Sequence, residues 1–76
     1  MLTIWTIPSC PQCTKTIAHA DRLAIPVKVL PMSPERLELA KEQGFMAAPV
    51  VDADDGTSWA GYQAARIILH ARNYHS

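Results

Sequence analysis

The sequence predicts an α/β fold in which a four-stranded mixed sheet is flanked by three helices, in the order β-α-β-α-β-β-α. The chain opens with a strand, a helix and a second strand, and such a unit implies a parallel pair joined by a right-handed crossover. An Asp-Asp-Gly turn then joins two short strands into an antiparallel hairpin. The amphipathic helical segments supply apolar surface to cover the sheet, with two helices on one face and one on the other.

The first half of the chain predicts two strands joined by a helix. Residues 2–7 are apolar or β-favouring throughout, as in a strand at the centre of a sheet. A helix is expected from Pro11 to about Ala24, and Pro26 near the start of strand 25–30 suits a sheet edge. The expected inner stripe of the helix comprises Cys13, Ile17, Ala20 and Ala24, and the solvent stripe comprises Gln12, Lys15, His19 and Arg22.

The second half predicts a helix, a hairpin and a closing helix. Ser33 and Pro34 form a good helix start, and that helix is expected to end at Gly44. Strands are expected at 49–52 and 57–59, and a last helix after Gly61 is expected to fray beyond Arg72. The side chains expected to face the core are Leu37 and Ala40 in the second helix and Ala64, Ile67, Ile68 and Ala71 in the third.

Composition and charge bound the class of protein. The chain has 76 residues, a formal net charge of zero and 49% apolar residues, which we interpret as one domain spanning 1–76. No run approaches the roughly 20 apolar residues of a membrane span, and no basic segment precedes an apolar run as in a secretory signal. The basic residues are scattered, which argues against nucleic-acid binding. We therefore expect a cytoplasmic monomer.

The two cysteines, Cys10 and Cys13, are three positions apart at the start of the first predicted helix. A loop this short constrains the unfolded chain very little, so the pair requires a chemical explanation. A helix N-terminus favours the thiolate, which is the reactive form of cysteine. We expect Cys10 to have a pKa below the ordinary value of about 8.5 and to attack a disulfide. Cys13, one turn deeper and facing the core, would resolve the mixed disulfide.

Two other interpretations of the pair remain open. A Cys-x-x-Cys pair is half of a common zinc site, but the candidate nitrogen ligands are His19 on the solvent stripe and His70 and His75 near the C-terminus. The cysteines could also be inert core residues, but the pair lies at a helix cap directly after a strand, whereas inert core cysteines are expected in the middle of an element. We expect no bound metal or other cofactor.

Pro49 opens the third predicted strand, which the topology places beside the N-terminus of the first helix. A trans proline is the commoner case across proteins. Because of the cysteine pair, we predict a cis Ala48–Pro49 bond, which would hold the Ala48 backbone open for an extended partner segment.

Three segments together resemble the glutaredoxins of the thioredoxin fold, and most of all the NrdH-redoxins. They are CPQC at 10–13, APVV at 48–51 and WAGY at 59–62. The resemblance implies a thiol–disulfide oxidoreductase that is reduced by thioredoxin reductase with electrons from NADPH and donates them to class Ib ribonucleotide reductase or another protein disulfide. It also implies that Cys10 is the nucleophile, Cys13 the resolving thiol and Pro49 the cis-proline. The residues expected to bind the partner are Pro11, Gln12, Ala48, Pro49, Trp59, Gly61 and Tyr62.

The sequence also departs from the family pattern, in ways that bear on glutathione. Ile7 stands where glutaredoxins carry a lysine or arginine, and Gln63–Ala64 stand where they carry a carboxylate. Charge-assisted contacts to a charged ligand are worth roughly 1.5–3 kcal/mol each, so we expect little dependence on glutathione and a less activated Cys10. In the WAGY segment Ala60 and Tyr62 replace a serine and a phenylalanine. The alternatives are a glutathione-coupled glutaredoxin and a metal or iron–sulfur module.

Overall fold

The computed structural model describes residues 1–75 and has the predicted order of elements. The strands are β1 (Leu2–Thr6), β2 (Val27–Pro31), β3 (Val50–Ala53) and β4 (Ser58–Ala60), and the helices are α1 (Pro11–Arg22), α2 (Pro34–Glu42) and α3 (Ala64–His75). Two helix ends differ from the prediction. α1 stops before Ala24, which has a left-handed φ of 55°, a conformation that a right-handed helix excludes. α3 continues to His75 instead of fraying beyond Arg72.

The sheet has the strand order β2-β1-β3-β4, so β1 lies inside it and β2 forms one edge. β1 runs parallel to β2 and antiparallel to β3, while β3 and β4 form the antiparallel hairpin. The mixed sheet and the edge position of the strand after Pro26 are therefore confirmed. No helix within residues 1–75 is long and apolar enough to cross a lipid bilayer.

One face of the sheet packs against α1 and α3. Ile4, Val51 and Trp59 are directly paired across β1, β3 and β4, and directly paired residues share a face of the sheet. All three belong to one buried cluster with Ala20 of α1 and Ile67 of α3. Burying each large apolar side chain of this cluster contributes about 1.5–3 kcal/mol. The predicted pair of helices on one face is confirmed.

The opposite face carries a partly buried ion pair that connects it to α2. Asp52 and Ser58 are paired across β3 and β4 on this face. The Arg36 guanidinium of α2 donates to both carboxylate oxygens of Asp52, each at 2.8 Å. Trp5 Nε1 and Ser58 Oγ donate to the same carboxylate at 2.8 and 2.7 Å. Partial burial raises the pKa of Asp52, but the hydrogen bonds from Arg36, Ser58 and Trp5 outweigh it and hold that pKa below its ordinary value of 3.8.

The inner faces of α2 and α3 each bury one polar residue that the apolar pattern did not predict and expose one apolar residue that it placed inside. Arg36 is only 6% exposed, whereas Leu37, predicted to be inside, is 44% exposed. In α3, His70 is buried and Ile68, predicted to be inside, is 41% exposed. The predictions for Leu37 and Ile68 were wrong because they counted apolar residues alone. In α2 the Arg36 side chain lies inside because it pairs with the Asp52 carboxylate.

Candidate active site

Cys10 and Cys13 form a disulfide across the first turn of α1, with their Cα atoms 5.3 Å apart. Cys10 is the N-cap residue, and its sulfur accepts a hydrogen bond from the Cys13 N–H at 3.1 Å. Ser9, with a left-handed φ of 55°, turns the chain from β1 into the helix. Pro11 occupies the first turn of α1, where its missing N–H breaks no helical hydrogen bond.

The two cysteines differ in exposure. Cys13 is 4% exposed and faces the interior, whereas Cys10 is half-buried at the helix end. A groove of about 590 Å³ opens beside them. It is lined by Thr6, Ile7, Ser9, Cys10, Pro11, Cys13, Thr14, Ile17 and Val29. Cys10 is therefore the more accessible of the two sulfurs to a large partner.

Gln12 connects the disulfide to the segment after β4. Its Oε1 accepts a hydrogen bond from the Tyr62 N–H at 2.9 Å, across 50 residues of sequence. Tyr62 Oη lies 2.9 Å from His19 Nδ1, and Lys15 Nζ lies 5.7 Å from the centre of the Tyr62 ring. Tyr62 thus lies along successive turns of α1. His19, predicted on the solvent stripe, is instead half-buried against this ring.

Gly61 makes the close approach that this contact requires. It has a φ of +77°, and a Cβ at this position would lie 3.1 Å from Gln12 Oε1 and 3.4 Å from the Ala47 Cβ. Glycine is the residue that tolerates both the backbone conformation and the contact. Its N–H also donates to the Pro49 carbonyl at 2.7 Å. The Gly61–Tyr62 segment therefore bonds to Gln12 through the Tyr62 N–H and to Pro49, just before β3, through the Gly61 N–H.

We expect Gly61→Ala to lower the free energy of unfolding by about 2–3 kcal/mol, because alanine adds backbone strain and a steric conflict with Gln12. Gly56→Ala is the matched control. Gly56 also has a positive φ, of +91°, but a Cβ there would meet nothing within 4 Å. Urea unfolding of both variants measures the difference. Equal losses at the two positions would show that the contact with Gln12 contributes nothing.

The Ala48–Pro49 peptide bond is cis, as predicted. Pro49 itself is fully buried, and Ala48 is half-buried at the edge of a second groove of about 760 Å³. This groove, which we call the apolar groove, is lined by Ile7, Met32, Leu37, Ala40, Lys41, Gly44, Phe45, Met46, Ala47, Ala48 and Val50. Ile7 also lines the groove at Cys10, so the two grooves share a wall.

Trp59 was expected among the residues that contact a partner, and its position does not allow this. Its side chain is 3% exposed and belongs to the core cluster. Alternation along β4 turns Trp59 toward α1 and α3, whereas the neighbouring Ala60 faces the other way. Trp59 therefore supports the Gly61–Tyr62 segment from below and offers no surface to a partner. Tyr62, by contrast, is half-buried.

The sequence analysis missed Thr16, which is fully buried in α1. Its hydroxyl donates to the Gln12 carbonyl at 2.8 Å. The signal was available, since a polar residue three positions after Cys13 falls on the buried stripe of the helix. Within residues 1–75, no group of three or more histidine, cysteine or acidic side chains is placed to hold a metal ion.

A comparison with protein-family models finds no match. The structure is similar to that of NrdH-redoxin from Escherichia coli, a glutaredoxin-like protein with a thioredoxin-like activity profile, with a TM-score of 0.81. The two sequences are 31% identical over 90% of this chain and 91% of that chain. The chain belongs to the NrdH-redoxin family. A glutaredoxin from Archaeoglobus fulgidus, 20% identical over 90% of this chain and 82% of that one, has a TM-score of 0.66 and shows the shared fold.

Membership of the NrdH-redoxin family indicates the reaction in which the Cys10–Cys13 disulfide takes part. In a glutaredoxin-like thioredoxin fold, a Cys-x-x-Cys disulfide at a helix N-terminus exchanges electrons with other disulfides. The chain is a thiol–disulfide oxidoreductase, and its Cys10–Cys13 bond is the disulfide available for that exchange. The resemblance that the CPQC, APVV and WAGY segments suggested is thereby confirmed at the level of the family.

Proposed function

We propose that this NrdH-redoxin is a dithiol electron donor in which Cys10 is the nucleophile and Cys13 the resolving thiol. The observation that carries the proposal is the difference between the two cysteines: Cys10 is accessible and its sulfur accepts an N–H bond, and Cys13 is buried one turn deeper. A thiolate at Cys10 gains from this bond because hydrogen bonds to an ionised group are stronger than those to a neutral one.

The reaction transfers two electrons in two exchanges. The Cys10 thiolate attacks one sulfur of a partner's disulfide, forming a mixed disulfide and releasing the partner's other sulfur as a thiolate. Cys13 then loses its proton and attacks Cys10 Sγ, which releases the second partner thiolate and forms the Cys10–Cys13 bond. The two partner thiolates take up the proton from Cys13 and one proton from water, so the partner ends as a dithiol and the redoxin as a disulfide.

The groove at Cys10 favours a reductase over glutathione as the electron source. None of the described residues that line it carries a charge, and Ile7, 47% exposed, occupies the position expected to hold a cation. The carboxylates of glutathione would find no charge-assisted contact there. We propose thioredoxin reductase as the source, in line with the thioredoxin-like activity profile of the E. coli relative.

The apolar groove supports a protein as the partner. Met46 at its rim is 96% exposed and Leu37 on its wall is 44% exposed. Apolar side chains grouped beside a reactive site are typical of surfaces that bind proteins. We propose that an extended partner segment lies across Ala48 and the CPQC loop, with Pro11, Gln12 and Tyr62 contacting it. Class Ib ribonucleotide reductase is the proposed acceptor, and the cytoplasm the proposed compartment.

The test compares two electron sources for reduction of a protein disulfide, following NADPH oxidation. One reaction contains thioredoxin reductase, and the other contains glutathione with glutathione reductase. We expect turnover in the first and little in the second, because the groove offers no charge to the tripeptide. Turnover in the second alone would contradict the proposal and favour a glutathione-coupled glutaredoxin.

Ile7→Lys tests the reason for that preference. A lysine here would supply one charge-assisted contact, so glutathione-dependent turnover should rise by about tenfold. Ile7→Met is the matched control, since it is also long and flexible but has no charge. A similar rise in both variants would mean that side-chain shape, and not charge, had excluded glutathione.

A further inference from the structure

The peptide unit between Gln12 and Cys13 is held at both of its polar ends. Its N–H donates to Cys10 Sγ at 3.1 Å, and its carbonyl accepts the Thr16 hydroxyl at 2.8 Å. A buried threonine in a helix commonly bonds to the carbonyl four residues before it. In α1 that carbonyl belongs to the one peptide whose N–H contacts the reactive sulfur. The three groups therefore form a chain from the Thr16 hydroxyl to Cys10.

Hydrogen bonds in such a chain strengthen one another. A donor on the carbonyl draws electron density toward the oxygen and makes the N–H at the other end a better donor, by about 10–30% per bond. Thr16 is 0% exposed, so water does not compete for its hydroxyl. The bond at the carbonyl also fixes the direction in which the Cys13 N–H points.

The effect differs between the redox states of the pair. A disulfide sulfur is a weak acceptor, and a thiolate is a strong one. A better N–H donor thus stabilises reduced Cys10 more than the Cys10–Cys13 bond. Reduction adds two electrons and, with Cys10 as a thiolate, one proton that resides on Cys13. Within residues 1–75, no charged residue lines the groove at Cys10 that could stabilise the thiolate in place of this N–H. The nearby basic side chains of α1, Lys15 and His19, lie against Tyr62.

We propose that Thr16 is a positioning residue for Cys10: its hydroxyl orients and polarises the Gln12–Cys13 peptide so that the Cys13 N–H stabilises the Cys10 thiolate. The inference rests on the role of Cys10 in the proposed function. Part of the activation of Cys10 would then come from the neutral, buried Thr16 side chain. On the groove side of Cys10, Ile7 supplies no cation that could do the same.

Thr16→Val and Thr16→Ser separate the hydroxyl from the shape of the side chain. Valine keeps the shape without the hydroxyl, and serine keeps the hydroxyl. In a Cys13→Ser background Cys10 is the one remaining thiol, and the ultraviolet absorbance of its thiolate follows its titration. We expect Thr16→Val to move the midpoint to higher pH, with about two- to threefold less thiolate at a given pH below it. Thr16→Ser should titrate like the parent.

The same substitutions in the protein with both cysteines test the redox equilibrium against a dithiol buffer. Thr16→Val should be about two- to threefold harder to reduce than the parent, and Thr16→Ser should match it. Thr3→Val, in the half-buried part of β1 at the other end from the disulfide, is the control for loss of a hydroxyl elsewhere. Circular dichroism of each variant verifies the fold.

Two results would overturn the inference. The first is a Thr16→Val protein with the titration and equilibrium of the parent. The second is a Thr16→Ser protein shifted as far as Thr16→Val. A separate measurement tests the proposed function: brief alkylation of the reduced parent, followed by mass mapping, identifies the cysteine that reacts first. Alkylation first at Cys13 would contradict the role of Cys10 itself, whatever Thr16 does.

Discussion

Cys10→Ser should abolish the transfer of electrons to a protein disulfide, and Cys13→Ser should stop the reaction after its first exchange. The two cysteines are three residues apart and both line the groove, but Cys10 lies at the helix end and is the more exposed of the two. A serine hydroxyl at position 10 is not a nucleophile toward disulfides, so turnover should fall to the level measured without the protein. Steady-state NADPH oxidation with thioredoxin reductase and a protein disulfide measures this loss.

Cys13→Ser keeps the nucleophile and removes the thiol that resolves the mixed disulfide. Incubation of the reduced variant with a partner should therefore give a stable covalent complex through Cys10, visible by mass spectrometry and removed by a strong reductant. The two variants serve as controls for each other, since each loses one sulfur from the same helical turn. Full turnover by Cys13→Ser, or a complex formed by Cys10→Ser, would contradict the assigned roles.

The second large effect concerns the ion pair under α2. Asp52→Ala would leave the Arg36 guanidinium, 6% exposed, without the carboxylate that accepts two of its hydrogen bonds. Breaking a buried pair by removing one partner costs about 3–5 kcal/mol. Because Asp52 is 33% exposed, water compensates in part, and we expect a loss of about 2–3 kcal/mol in the free energy of unfolding. Urea unfolding at pH 7 measures it.

Two companion variants make that result specific. Asp54→Ala removes an exposed carboxylate that pairs with the N-terminus and should change stability far less. The double variant Asp52→Leu with Arg36→Met removes both charges, so it should be more stable than Asp52→Ala because no charge remains buried alone. A double variant as unstable as the sum of its single variants would show that the two side chains do not interact.

The same pair predicts a dependence of stability on pH. The hydrogen bonds to Asp52 hold its folded pKa below 3.8, so the folded state favours the ionised carboxylate. Its contribution is complete above the unfolded pKa and is lost as the pH falls through the lower folded pKa. The stability difference between the parent and Asp52→Ala should therefore be constant near neutral pH and shrink in acid below about pH 4. A difference that persists in strong acid would contradict the role of the charge.

The sequence predicted features that depend on neighbours along the chain. The order of strands and helices follows from apolar patterns and turn residues, and Ser33 and Gly44 mark the start and end of the second helix. Cys10 at the cap and Cys13 inside follow from the period of one helix. The edge position of β2 follows from one proline. Each of these features depends on a few adjacent residues, and the folded structure adopts the conformations that those residues prefer locally.

The sequence was less informative where a polar group finds its partner far along the chain. Asp52 lies in the short strand β3, and nothing near it along the chain identified Arg36 as its partner. The bond from Tyr62 to Gln12 joins residues 50 positions apart, and the contact between Tyr62 and His19 joins residues 43 apart. Helical periodicity placed His19 in solvent because the side chain that covers it comes from another element.

The site around the cysteine pair likewise has features that the sequence determined and features that only the tertiary structure decided. By itself the sequence determined that two thiols lie one turn apart at a helix start, with unequal exposure, because spacing and helix period decide both. The tertiary structure alone decided what surrounds them: an uncharged groove walled by Ile7, a Gly61–Tyr62 segment against Gln12, and a buried Thr16 behind the peptide that contacts Cys10. The physical reason is that buried polar groups must be paired wherever the fold brings partners together, and those partners are set by packing between elements.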